Sequence, residues 1–299
     1  MLARFGVTAT LAAASVLGAG QIASAAEPHV VPANVRLINA IKAYESKGQL
    51  NYVELNKVIV AAGAKPVTFD FPGAGLQQLT PEQAQAAVES GAKTSTTVKT
   101  AGPISPTVAQ IPDDAFTVGG YWTDIQDQTG RWVTYFGTWD FKNGYFQGGN
   151  PRDAVAIETT GSGTALNNPQ CYRYDGDDGW SQDFANGDTS SRLTRRGASA
   201  YTSVWNLNDG TGGAQEGGPA LVDHGTIYLS YQYVKASGSS APCGDVWHGK
   251  TNLEHNVDGC NCSWGYSFSN WGFGVSYSTT DPPQALQKST RLIEKYAES

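Results

Sequence analysis

Residues 116–149 read FTVGGYWTDIQDQTGRWVTYFGTWDFKNGYFQGG, and the alternation within them decides the fold class. From Arg131 onward, Val133, Tyr135, Trp139 and Phe141 share one face with Gly137, while Trp132, Thr134, Phe136, Thr138 and Asp140 share the other. A period of two belongs to a β-strand, whose successive side chains point to opposite faces of a sheet. Asn143-Gly144, lying between Phe141 and Tyr145, has the positive-φ preference of a two-residue hairpin turn.

The same pattern continues on either side. Short apolar runs at 154–158, 201–207, 226–234, 263–270 and 273–278 are separated by Gly, Asn and Asp clusters. In 226–234, Ile227, Leu229, Tyr231 and Tyr233 alternate with Tyr228, Ser230 and Gln232. Strands of this length and spacing predict a mainly β domain over 113–280, an antiparallel β-sandwich or jelly roll, with a barrel as the alternative. No internal repeat supports a propeller.

Residues 26–110 carry no Trp and no Cys and read differently. Helical spacing places a helix at 33–46 and another at 52–62, with Asn51 as the cap of the second. Thr80-Pro81-Glu82-Gln83 opens a third, with Thr80 at the cap and Pro81 in the first turn. The domains expected are thus a leader at 1–25, a small N-terminal helical region at 26–90 that would suit a removable pro-segment, and a Lys/Thr/Ser/Pro linker at 91–112. The β-rich domain follows at 113–280. Beyond Asp281-Pro282-Pro283, residues 281–299 read as a C-terminal helix using Leu286, Leu292, Ile293 and Tyr296.

The leader has Arg4, a small apolar run and Ala23-Ser24-Ala25, the features of a secretory signal cleaved after Ala25. No later run approaches the roughly 20 apolar residues of a membrane-spanning helix. A secreted, extracellular product without a membrane span is therefore expected. Without Arg4, the 20 basic residues become 19 against 27 acidic ones, a net charge of −8. That balance disfavours nucleic acid and anionic membrane surfaces as partners, since both attract positive charge, and no nucleic-acid partner is expected.

Cys171, Cys243, Cys260 and Cys262 form an even set in an exported chain, which predicts two disulfides. Cys260 and Cys262 are too close in sequence to bridge comfortably, so each is expected to pair with Cys171 or Cys243. The competing reading is zinc, from Cys243, His248, His255, Cys260 and Cys262, although their spacing is irregular for a structural site.

Asp175-Gly176-Asp177-Asp178-Gly179 is the densest acidic stretch. Read as a loop, it offers Asp175, Asp177 and Asp178 as oxygen ligands for calcium; the plainer reading is an acidic turn. Apart from calcium, no cofactor is expected. Arg192, Arg195 and Arg196 form a basic group that suits either an anion or a solvated turn. No Gly-x-Ser-x-Gly string marks a serine nucleophile. Asp124, Asp140, Glu158, Glu216 and Asp245 are the carboxylates from which a facing pair for glycoside hydrolysis would have to come.

Aromatic residues are the strongest functional signal. All 8 Trp, with 11 Tyr and 7 Phe, lie in 113–280, more than one sandwich core requires. Rings beside carboxylates and carboxamides suit sugars, which present apolar C–H faces and polar edges. Trp180, in the polar run 177–182, is the first candidate ligand-binding residue, with Asp178 beside it. Trp247, near Asp245, and Trp264 follow. Three classes of function result: a non-catalytic binder of an extracellular glycan or surface protein, a secreted glycosidase-like hydrolase, or an extracellular protein-interaction, toxin or inhibitor-like protein.

Overall fold

A computed structural model describes residues 30–47, 50–70, 78–89, 97–99, 116–141, 153–159, 171–183, 188–189, 193–199, 201–207, 223–234, 246–256, 263–269, 271–278, 285–290 and 293–296. The helices among them are α1 (Ala33–Glu45), α2 (Tyr52–Ala61) and α3 (Pro81–Glu89). The strands are β1 (Thr97–Lys99), β2 (Phe116–Asp127), β3 (Gly130–Phe141), β4 (Asp153–Thr159), β5 (Tyr172–Asp183), β6 (Asp188–Thr189) and β7 (Leu193–Ala198). They continue with β8 (Thr202–Leu207), β9 (Asp223–Tyr233), β10 (Val246–Asn256), β11 (Trp264–Ser269), β12 (Gly272–Tyr277), β13 (Ala285–Ser289) and β14 (Ile293–Tyr296).

The aromatic stretch forms the β2–β3 hairpin, in register from Phe116 opposite Phe141 to Asp127 opposite Gly130. It leads a five-stranded antiparallel sheet in the order β2-β3-β9-β5-β6. A seven-stranded sheet, β1-β13-β10-β4-β8-β7 with β14 also on β10, packs against it. The two faces of β3 go where the alternation puts them. Val133, Tyr135, Trp139 and Phe141 enter the core between the sheets, with Val155, Ile157, Ile227, Leu229, Trp247 and Leu253. Trp132 and Phe136 face the helices.

The sheets approach closely at Gly137. A Cβ there would lie 2.5 Å from Ile157 Cγ2 and 2.6 Å from Thr251 Oγ1, so a side chain has no room. Beside it the Tyr135 hydroxyl and Thr251 Oγ1 are 3.0 Å apart, satisfying both polar groups inside the core.

The helices form a layer on the outer face of the five-stranded sheet. Leu37, Ile41, Leu55, Ile59 and Phe69 pack with Tyr121, Ile125, Trp132, Phe136 and Trp180 in one cluster. The first turn of α1 lacks a side-chain cap of its own, and the Ala33 N–H instead donates to Thr129 Oγ1, in the β2–β3 turn, at 3.1 Å. Asn51 caps α2 by accepting from the Glu54 N–H at 3.0 Å. Thr80 and Gln83 exchange a reciprocal pair of bonds at the start of α3. Isolated bridges from Ala64 to Ile125 and from Asp70 to Gly120 cover the outer edge of β2. The described residues of 26–90 therefore contribute 11 of the 16 buried members of a hydrophobic cluster that they share with the sheet.

Two expectations are corrected. The C-terminal segment is not a helix: β13 pairs with β10, Leu286 opposite His255, and β14 pairs with β10 further along, Ile293 opposite Gly249. Tertiary pairing overrides the helical spacing, because Leu286 and Lys288 then share the inward face. Leu286 enters the core, and the buried Lys288 donates from Nζ to the Phe116 carbonyl at 2.7 Å. Within the expected linker, Thr97–Lys99 is a strand on the edge of β13. The rest of 91–112, the Asn143-Gly144 turn and the leader lie outside the described residues. Among the described residues no helix is long and apolar enough to cross a membrane.

Candidate functional site

Strand alternation disperses the acidic run proposed for calcium. Residues 175–178 belong to β5, not to a loop. Asp177 faces the seven-stranded sheet, accepting from Arg195 at 2.6 Å and from Ser203 Oγ at 2.7 Å. The chain is irregular between Tyr174 and Gly176, and Asp175 accepts from Asn34 of α1 at 2.6 Å. Asp178 accepts from the Gly179 N–H. Three carboxylates with three separate sets of partners do not converge, and no group of three or more His, Cys, Asp or Glu among the described residues is placed to hold a metal.

The zinc reading meets the same geometry. His248 and His255 lie on opposite faces of β10: the His248 ring packs on Trp271, 5.9 Å between centroids, whereas His255 Nδ1 sits 2.7 Å from Asp153 in the sandwich interior. Cys171 is fully buried and is not a free thiol. Cys243, Cys260 and Cys262 lie outside the described residues, as do Glu216 and Asp245. The described carboxylates of the hydrolase reading occupy three layers. Asp124, buried, is gripped by Arg131 through Nε at 3.0 Å and Nη2 at 2.8 Å. Asp140 lies on the helix-covered face of β3, opposite His224, and Glu158 lies on the outer face of the seven-stranded sheet, opposite Lys250.

Two of the three candidate tryptophans are core. Trp180 is 3% exposed and Trp247 is fully buried. Trp247 packs among Trp122 and Tyr172. Trp264 differs: it lies partly buried on the β11–β12 hairpin, beside the exposed Tyr266.

That hairpin has two unlike faces. Trp264, Tyr266 and Phe268 stand opposite Tyr277, Val275 and Phe273 on one; Gly265 and Ser267 stand opposite Ser276 and Gly274 on the other. The aromatic face lies on the outside of the seven-stranded sheet. Phe273 is its anchor, buried among Ala154, Ala156 and Val204. Small residues on β4 leave the space that the ring fills.

Polar contacts fix the hairpin at both ends. The Tyr277 hydroxyl donates to Glu254 at 2.5 Å and lies 2.7 Å from Asn256 Oδ1. Burial, reinforced by the Glu254 charge, pushes the Tyr277 phenol above its ordinary range, so it stays a donor. Gln287 Nε2 donates to the Phe273 carbonyl at 2.9 Å, and Lys250 Nζ donates to the Trp271 carbonyl at 2.7 Å. Partial burial lowers the Lys250 pKa and raises that of Glu158 opposite it. Trp271 has a φ of 63°, an uncommon conformation for a bulky residue, and the Lys250 and His248 contacts hold it there.

The other wall is β7, an edge strand with a bulge between Arg195 and Gly197. The extra residue changes which way the chain aims its side chains. Arg195 points inward to Asp177, but Arg196 and Gly197 both turn outward to the hairpin. The Arg196 guanidinium carbon lies 5.1 Å from the centre of the Trp264 ring. Gly197 receives the Tyr266 hydroxyl so closely that a Cβ would stand 1.9 Å from it. Tyr266 nonetheless keeps 40% of its surface exposed.

The rings of Trp264, Tyr266 and Phe268 thus form a row, with centroids 6.5 and 6.1 Å apart. Trp264 was a sequence-based ligand candidate, and Arg196 belonged to the basic group read as suiting an anion or a solvated turn; Tyr266, Phe268, Trp271 and Gly197 were not singled out. The signal was the alternation of bulky aromatics with Ser and Gly across 263–278, which separates an aromatic face from a flat one.

No protein-family model matches the chain, and no curated protein matches it. Among solved structures it is similar to the Clostridium perfringens delta-toxin, with 7% identity and a TM-score of 0.27, over 68% of this chain and 88% of that one. A likeness of that size carries no argument about this protein.

Proposed function

We propose that the protein is a secreted, non-catalytic binding protein that recognises an extracellular glycan along the aromatic row of the β11–β12 hairpin. The observation that carries this reading is Tyr266, which is held from one side by Gly197 and left 40% exposed, between the partly buried Trp264 and Phe268. A ring fixed in position stacks on a sugar with little loss of conformational freedom. A row of rings along a strand suits an oligosaccharide better than a single sugar. Ring contacts worth about 0.5–1.5 kcal/mol each, with hydrogen bonds at the rim, give binding in the micromolar to millimolar range.

The test is a glycan array followed by calorimetric titration of the best ligand. Tyr266→Ala should weaken binding about tenfold, the loss of one ring contact, and leave the melting temperature within a few degrees of the parent. A folded protein that binds no glycan overturns the reading, and release of reducing sugar replaces it with the hydrolase.

A further inference from the structure

Arg196 is set apart from the other described arginines by what it does not meet. Arg36 pairs with Asp127, Arg131 with Asp124 and Arg195 with Asp177, while Arg173 donates to the Gln232 amide oxygen at 2.6 Å. Arg196 is exposed and has no carboxylate or amide acceptor among the described residues; its contact is the Trp264 ring. In a chain of net charge −7, a cation left without an acidic partner beside the aromatic row is a local exception.

The bulge in β7 creates that exception. A regular strand would alternate Arg195 inward and Arg196 outward and return Gly197 inward. The extra residue keeps Gly197 outward as well, so one irregularity seats Tyr266 and places a guanidinium against the neighbouring ring. A guanidinium resting on an indole is already ordered and retains N–H edges for a planar anion, and a carboxylate accepts two of them side by side.

We infer that the glycan taken by this edge is acidic, its sugar rings lying on Tyr266 and Trp264 and a sugar carboxylate accepting from Arg196. This rests on the glycan reading above and adds the chemical class of the ligand. The overall negative charge does not oppose it, because at physiological salt the Debye length is about 8 Å and the nearest charge dominates.

The experiment uses the whole chain and a matched pair of probes: a hexuronic acid trisaccharide and the same trisaccharide with its carboxyl groups reduced to neutral hexose. Calorimetry at physiological ionic strength should give the acidic probe about tenfold tighter binding, as one charge-assisted bidentate contact provides. Arg196→Gln should bring the ratio of the two affinities close to one, and Arg196→Lys, which keeps the charge but loses the fork, should fall between. Tyr266→Ala should weaken both probes. Equal binding of the two probes by the parent protein overturns the acidic preference while leaving the glycan reading in place. So does an acidic preference that survives Arg196→Gln. If the folded protein binds neither probe nor any other glycan, the glycan reading itself fails.

Discussion

The indole Nε1 of Trp180 donates to the Glu45 carboxylate at 2.6 Å, joining the last residue of α1 to the middle of the five-stranded sheet. Thr226 Oγ1 lies 3.0 and 2.8 Å from the same two oxygens, and His224 Nε2 stands 3.4 Å away. The carboxylate has no contact with solvent. It is tolerated there because donors surround it, and the arrangement works as a clasp between the helical layer and the sheet.

Removing the acceptor should cost more than the bond itself. Glu45→Ala leaves an indole N–H and a hydroxyl buried without their partner, and a loss of about 3–5 kcal/mol in urea denaturation is expected. Trp180→Phe, which keeps most of the ring and removes one bond to a charged group, should cost about 1.5–3 kcal/mol. A loss below about 1 kcal/mol for Glu45→Ala would show that the helices dock without the clasp.

The clasp also predicts a pH dependence. Burial opposes charge on His224, but its bond to Glu45 and that residue's charge, with Asp140 and the Trp139 carbonyl adding to them, hold its pKa above the ordinary imidazole value of 6.5. A raised folded pKa means that the folded state binds the proton more tightly than the unfolded chain does. The contribution is complete below about pH 6.5 and is lost as the pH rises through the folded value. Thermal stability should therefore decline on going from about pH 6.5 into the alkaline range, and His224→Gln should flatten that decline. A profile of unchanged slope in His224→Gln would remove the histidine from the account.

Gly137 marks the closest approach of the two sheets. Gly137→Ala puts a methyl group 2.5 Å from Ile157 Cγ2, where both strands are held by ladders on either side. Overpacking of a rigid core costs about 1–3 kcal/mol, and the upper part of that range is expected here. In the companion Gly137→Ala/Ile157→Ala, which removes the Cγ2 that the new methyl meets, the combined loss should be smaller than the sum of the two single losses; strictly additive losses would place the strain elsewhere.

For the cysteines, denatured but unreduced protein should show no reactive thiol, and reduction should release all 4. Each bridge should contribute about 2–4 kcal/mol, so reduction should lower the melting temperature by many degrees. Four titratable thiols before reduction would refute the pairing.

Residues 116–141 show how far local pattern reaches. The alternation of β3 assigned every side chain to its face, because successive side chains of a strand point to opposite faces whatever covers them. The three helices and two of their caps were legible for the same reason: Asn51 and Thr80 act on backbone within three residues of themselves. What the sequence could not supply was which surfaces meet. Trp180 looked solvent-facing in its run of Asp and Gly, and only the arrival of Glu45, 135 positions earlier in the chain, buried it. The C-terminal segment had helical spacing, but β10 offered an edge, and pairing with it satisfied backbone groups and buried Leu286. At the hairpin, Arg196, Gly197 and Tyr266 meet because a bulge turns two consecutive residues outward. A bulge arises from the fit between β7 and β8, and the sequence of either strand alone does not specify it.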